Sequence, residues 1–464
     1  MPPNEYHDTI ELISKAENSA LQIPKHKHTR TGSSSSFIHF RAPLNEESQP
    51  MANPNQLASQ ALPSLIICIV GLTAAGWMMD IYQHWEVFTQ VSELFILVPV
   101  LLNLKGNLEM NLAARFSTSA NMGQLDHPDT RNALVWGNMA LIQVQALVSG
   151  SIAGIFSLLL GLLLHPDETV TISNIILVIS SSMVAASVSS FVLGLFMCIL
   201  IIISRILKID PGTNTLFKQN VRLTIALDNI ACPMASSLGD VVTLAILAGC
   251  ANLLLDKTVS NLGSWLLFIM FSSIPFFGLA VWRNTHVRGL LFTGWTPIVI
   301  AMFISSGAGL VLERYVEQYQ GLAMLTPILC GLAGNLGSIY ASRISTCLHK
   351  GVQEQFRRVE WILLSMNVPI QSLFLAIVWF IDIGHLDLSL AFAITYFIVS
   401  VISTLAALKM GKSMTLAFWK YKYDPDNYVL PYLTAIIDVI CTSLLVISFS
   451  WLTATGYAHL HEPI

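Results

Sequence analysis

The chain has 464 residues, 54% of them hydrophobic and only 11% charged, with a formal net charge of −4 and a mean hydropathy of +0.63. A soluble domain carries about 25% charged residues, so this composition excludes one and points to an integral, multi-pass protein of the lipid bilayer. The small negative balance excludes nucleic acid as a partner, because that binding needs a basic face.

Residues 1–60 are polar, with a serine run at Ser33–Ser36 and four prolines between Pro24 and Pro54. This composition predicts a disordered cytosolic tail and lacks the short apolar core of a signal peptide. Beyond it, apolar stretches of about 20 residues, the length that crosses the hydrocarbon, fall near 62–82, 92–113, 133–164, 171–204, 229–255, 262–282, 289–312, 322–342, 359–381, 386–408 and 428–455. The expected fold class is therefore an all-α polytopic membrane protein with 11 transmembrane helices. Of the 24 Lys and Arg residues, 21 fall in the tail and the loops on its side of the membrane. That bias predicts a cytosolic N-terminus and an outside C-terminus. The seven cysteines form no CxxC pair, and neither a disulfide framework nor a zinc site is indicated.

The chain is internally duplicated. LVPVLLNLKGNLEMNLAARFSTSANMG (97–123) aligns without a gap to LTPILCGLAGNLGSIYASRISTCLHKG (325–351), with twelve identities. A second match sets DNIACPMASSLGDVVTLAIL (228–247) against DNYVLPYLTAIIDVICTSLL (426–445). Each copy holds five spans, and an odd number would invert the second copy. The additional span at 262–282 restores its orientation, giving a 5+1+5 layout with two parallel repeats about an axis along the membrane normal. The expected units are 61–257, a linker over 258–288, and 289–464. One chain then supplies both halves of a pore, so a monomer suffices and higher oligomers stay open. KxDP precedes the second match in both copies, but sixteen residues, 212–227, intervene only in the first. They read as an insertion, from splicing or from the gene model.

Asp240 and Asp438 each lie twelve residues beyond an aligned aspartate, Asp228 and Asp426. At 1.5 Å per residue that is about 18 Å from the helix start, near the middle of a core about 30 Å thick. An ionisable residue at that depth is a functional candidate that faces the bundle interior. Two carboxylates with backbone oxygens and water suit a hard divalent cation, and Mg²⁺ retains several waters while binding through one or two carboxylates. Pro233 and Pro431, seven residues before each aspartate, free backbone carbonyls along such a pathway. Gly106-Asn107 and Gly334-Asn335 are expected to interrupt spans two and eight, with the asparagines as supporting ligands or the glycines as close-packing points. Lys105 and Glu109 have Ala333 and Gly337 as counterparts, and read first as an i,i+4 ion pair. The serines of span four read first as packing residues.

Three stretches carry a family resemblance: DIYQHWEVFTQVSELFILVPVLLNLKGNLEMNLAARFSTSAN (80–121), ASSLGDVVTLAILAG (235–249) and LTPILCGLAGNLGSIYASRIST (325–346). They resemble solute carrier family 41, eukaryotic magnesium transporters related to the bacterial MgtE channels. The resemblance implies two fused MgtE-like membrane domains, Mg²⁺ as the transported ion with no cofactor, and Asp240 and Asp438 as its ligands. It further implies Na⁺-coupled exchange at the plasma membrane, with other divalent cations as possible substrates. An uncoupled Mg²⁺ channel is the alternative.

Two more distant readings are a non-transporting scaffold and an intramembrane aspartyl protease. The protease needs Tyr-Asp on one helix and Gly-x-Gly-Asp on another, so that a carboxylate pair shares a proton. Here the contexts are Ser237-Leu238-Gly239-Asp240 and Ile436-Ile437-Asp438, and an enzyme is not expected.

Overall fold

The computed structural model describes residues 54–121, 124–164, 171–207, 237–255, 261–292, 295–350, 355–381, 389–423 and 425–456. All of them belong to the unit Ala52–Ile464 of a chain that divides at Met51. The described elements are helical, with no strand among the described residues. The long helices are α1 (Pro54–Tyr82), α2 (Glu93–Asn121), α3 (Pro128–Leu164), α4 (Ile172–Leu207), α5 (Ser237–Leu255), α6 (Leu262–Arg283), α7 (Trp295–Tyr315), α8 (Leu322–Lys350), α9 (Phe356–Ile381), α10 (Leu390–Lys420) and α11 (Pro425–Ala454). The expected insertion 212–227 and Pro233 lie outside the described residues.

Ten of these helices are long and apolar enough to cross a membrane, where eleven spans were expected; α2 falls short. Its sequence explains why, since Asn103, Lys105, Asn107, Glu109 and Arg115 all lie on it. Several helices outrun their apolar stretches. α1 begins at Pro54, inside the segment assigned to the tail, α8 continues to Lys350, and α10 to Lys420. Hydropathy registers only the hydrocarbon crossing, whereas backbone hydrogen bonds carry the helix on through polar residues.

The expected interruption of spans two and eight does not occur. α2 runs unbroken through Gly106 and Asn107, and α8 through Gly334 and Asn335. A single glycine costs a helix only about 1 kcal/mol, too little to break one held on several sides.

The repeats interlock by exchanging their first helices. α1 packs on α8 and α9, while α7 packs on α2, as extensively on α11 of its own repeat and, more lightly, on α3. Glycines at equivalent places make both contacts possible. A Cβ at Gly76 of α1 would collide with the Met324 carbonyl of α8, and one at Gly309 of α7 with the Ile96 carbonyl of α2. Met324 and Ile96 occupy the same position of the aligned repeat, so the two crossings are one contact made twice. Within each repeat the second, third and fourth helices pack on one another. Equivalent glutamines bridge the third and fourth: Gln143 accepts from Ser187 Oγ at 2.6 Å, and Gln371 accepts from the Tyr396 hydroxyl at 2.8 Å. Other span-four serines bond backbone carbonyls, Ser181 to Leu177 at 2.7 Å and Ser182 to Gly150 at 2.6 Å, which is a packing role. α6 lies against α3 and α4 and exposes Trp265, Phe268, Phe276 and Trp282, a face suited to lipid.

Candidate cation site

α2 presents two chemically different stripes. Asn103 and Asn107 are one helical turn apart and share a face; Lys105 and Glu109 repeat that spacing about 200° round the axis. All four side chains are buried. Each stripe meets one of the two aspartates.

The asparagine stripe meets α11. Asn103 donates through Nδ2 to Asp438 Oδ2 at 3.2 Å and to Thr434 Oγ1 at 3.1 Å. Asn107 Nδ2 donates to Asn103 Oδ1 at 2.8 Å, which fixes the amide so that its NH₂ points at the carboxylate. The Asp438 carboxylate is half-buried. Its main-chain carbonyl accepts from Thr442 Oγ1 at 2.8 Å and from Cys330 Sγ at 3.7 Å, which holds this turn of α11 in place. Pro431 lies inside α11 two turns earlier; having no N–H, it leaves the carbonyl four residues before it without its helical donor. Asn107 Oδ1 is buried with no hydrogen-bond partner.

The lysine stripe meets α5. Lys105 Nζ lies 3.1 Å from Asp240 Oδ1 and 4.0 Å from Glu109 Oε2. The i,i+4 pair read from the sequence is thus the longer of the two ion pairs that Lys105 makes among the described residues, and the shorter one spans 135 residues of chain. Both Glu109 carboxylate oxygens are buried without a hydrogen-bond donor. Gly239 makes room for the lysine, because a Cβ there would collide with Lys105 Nζ and Cε.

The expected residues are therefore only partly brought together. Asp240 and Asp438 are engaged by different sides of α2. Asn107 reaches Asp438 only through Asn103. Asn335 turns elsewhere and donates to Cys68 Sγ on α1 at 3.0 Å, so it does not join either carboxylate. Gly334 makes ordinary contact with Thr434, while Gly106 faces open space; neither glycine serves as a close-packing point. Asn103, Thr434 and the Lys105–Asp240 pair were missed from sequence. Asn103 has Gly331 as its repeat counterpart, so a search for matched positions passes over it. Among the described residues no group of three or more His, Cys, Asp or Glu side chains forms a ready metal cage. One or two carboxylates with amide and hydroxyl oxygens suit a cation that keeps much of its water.

Comparison with known proteins agrees with this chemistry. The MgtE family model, described as a divalent cation transporter, matches residues 98–250 and 326–448, one stretch in each repeat. Solute carrier family 41 member 2 of Mus musculus is 35% identical over 432 residues, covering 88% of this chain and 72% of its own. Member 2 of Homo sapiens shows the same identity and coverage. Member 3 of Mus musculus is 34% identical over 436 residues, covering 87% of this chain and 85% of its own. A solved eukaryotic MATE transporter, AtDTX14, aligns over 87% of this chain and 98% of its own with a TM-score of 0.27 and 12% identity, and carries no argument. The chain belongs to the MgtE divalent cation transporter family, among the solute carrier family 41 proteins.

Proposed function

We propose that this protein carries Mg²⁺ across the membrane, with the partly hydrated ion bound at Asp438 and Asp240. The observation that carries the reading is Asp438: a half-buried intramembrane carboxylate with no cationic partner among the described residues. A lone carboxylate at that depth is costly unless a mobile cation or water serves it. Thr434 Oγ1 lies beside it, sharing the Asn103 Nδ2 donor, and Asn107 Oδ1 is a further buried acceptor without a donor.

The same proposal includes α2 as an eleventh span. Asn103, Lys105, Asn107 and Glu109 are buried, so lipid does not meet them and low hydropathy is no bar to crossing. The paired contacts Gly76–Met324 and Gly309–Ile96 support a two-fold relation between the repeats, and the even number of proposed spans from α1 to α6 gives parallel repeats in a 5+1+5 layout, with that axis along the membrane normal. Lys and Arg placement supports a cytosolic N-terminus, with the plasma membrane as the expected location.

Mg²⁺ uptake into proteoliposomes holding the full chain, with and without an opposing Na⁺ gradient, tests the reading. Saturable uptake that Asp240→Asn weakens is expected. Acceleration by Na⁺ assigns exchange, and indifference to Na⁺ assigns conduction. Wild-type uptake from Asp240→Asn and Asp438→Asn alike refutes the site.

A further inference from the structure

Lys105 is placed where a transported cation would sit. Its ammonium group is 3.1 Å from Asp240 Oδ1, and both side chains are buried. A lysine that served only to neutralise Asp240 would need nothing else. Here a second carboxylate, Glu109, lies one turn along α2 with its Oε2 4.0 Å from the same Nζ, and neither of its oxygens accepts a hydrogen bond. Only a small movement of a flexible side chain separates the two positions of the ammonium group.

The repeats show that this seat is built as a unit. The second half has Ala333 for Lys105, Gly337 for Glu109 and Ile437 for Gly239. A long side chain on one helix is matched by a glycine on its neighbour, and a short one by isoleucine. Gly239 gives the lysine room in this seat, since a Cβ there would collide with the ammonium end and with Leu193 Cδ1. Gly337 is filled differently: its place is taken up by Ala407 and Leu433, so no vacant carboxylate pocket persists there.

We infer that Lys105 is a tethered competitor for the cation at Asp240, and that Glu109 receives its ammonium group when a divalent cation enters. The inference rests on Asp240 being a cation ligand. In the resting protein the lysine holds the Asp240 carboxylate. An arriving cation displaces it by one helical turn's reach onto Glu109, and departure of the cation lets it return. Glu109 is on this account a positioning residue that acts through Lys105 and never touches the ion. The exchange keeps a positive charge on Asp240 at each stage, so that carboxylate never stands bare in a low-dielectric surrounding. It also gives Asp240 a weaker hold on the ion than Asp438, whose hydrogen-bond donor Asn103 is neutral.

Initial rates of Mg²⁺ uptake against Mg²⁺ concentration, for the full chain in proteoliposomes, separate this relay from its rivals. Glu109→Gln removes the receiving carboxylate, so the lysine stays on Asp240 and the apparent KM for Mg²⁺ rises about tenfold. In a Lys105→Met background the same Glu109→Gln change shifts KM less than about twofold, a non-additivity that independent sites do not show. Gly239→Ala keeps every charge and pushes the lysine off its seat, so KM falls; this variant decides the matter should Lys105→Met not fold. Equal KM shifts from Glu109→Gln in both backgrounds would make Glu109 a direct ligand and overturn the relay, as would an unchanged KM in Glu109→Gln alone. An Asp240→Asn protein with wild-type KM instead removes the cation site on which the relay depends.

Discussion

The two halves of this molecule share a frame and differ in what they place beside the same aspartate. On the first side, Asp240 meets Lys105, with Glu109 beyond it and Gly239 clearing the space. On the second, Asp438 meets an amide, Asn103, contributed by the α2 of the first half. The frame repeats down to single contacts, as Gly76 on Met324 and Gly309 on Ile96 show. Duplication therefore fixes the position of each carboxylate along its helix, whereas the unmatched residues of α2 fix its charge environment. One helix makes both halves of the difference, because its opposite faces reach different aspartates.

The largest expected effects follow from transplanting one side onto the other. Ala333→Lys with Ile437→Gly rebuilds the lysine seat beside Asp438; Mg²⁺ uptake should fall by at least about tenfold, since both carboxylates then carry an internal cation. Unchanged uptake from a folded double variant would break the claim that charge environment sets the difference. Next in size is Lys105→Met. It leaves Asp240 buried without its partner and should cost about 3 kcal/mol of stability, read as a lowered Tm in detergent. Millimolar Mg²⁺ should recover more Tm in this variant than in the wild type, because the ion replaces the ammonium group. Adding Asp240→Asn should also recover much of the loss.

A smaller effect is expected at the exchanged helices. Gly76→Val and Gly309→Val should each cost about 1–3 kcal/mol from overpacking, and the two losses should be similar. A loss at one position only would show that the frame is less symmetric than the paired contacts indicate. The smallest contrast concerns the matched asparagines. Asn107→Ala should weaken Mg²⁺ uptake by releasing Asn103, while Asn335→Ala should change it less than about twofold, since its amide serves only the weak acceptor Cys68 Sγ.

Much of this was legible in the sequence. Apolar stretches located the helices, because length and hydropathy are what the bilayer imposes, and the aligned repeats located both aspartates. Two things were hidden. Helix ends were misjudged wherever polar residues continue the helix, as from Leu408 to Lys420 in α10. The partners of the aspartates were hidden because repeat alignment rewards identity, and here the deciding residues are the mismatches. Asn107 and Asn335 are identical and do different things, whereas Asn103 and Gly331 differ and only Asn103 touches a carboxylate. A signal was available: Lys105 with Gly239 against Ala333 with Ile437 is a volume exchange across a helix contact, and reading it would have placed the lysine beside Asp240.

Uptake of Mg²⁺ by proteoliposomes holding the Asp438→Asn protein tests the central claim most directly, with intact folding checked by an unshifted Tm. Loss of saturable uptake, deeper than that caused by Asp240→Asn, is the predicted result, because Asp438 is the carboxylate with no cationic partner among the described residues. Uptake at the wild-type rate and KM from a folded Asp438→Asn protein would contradict it.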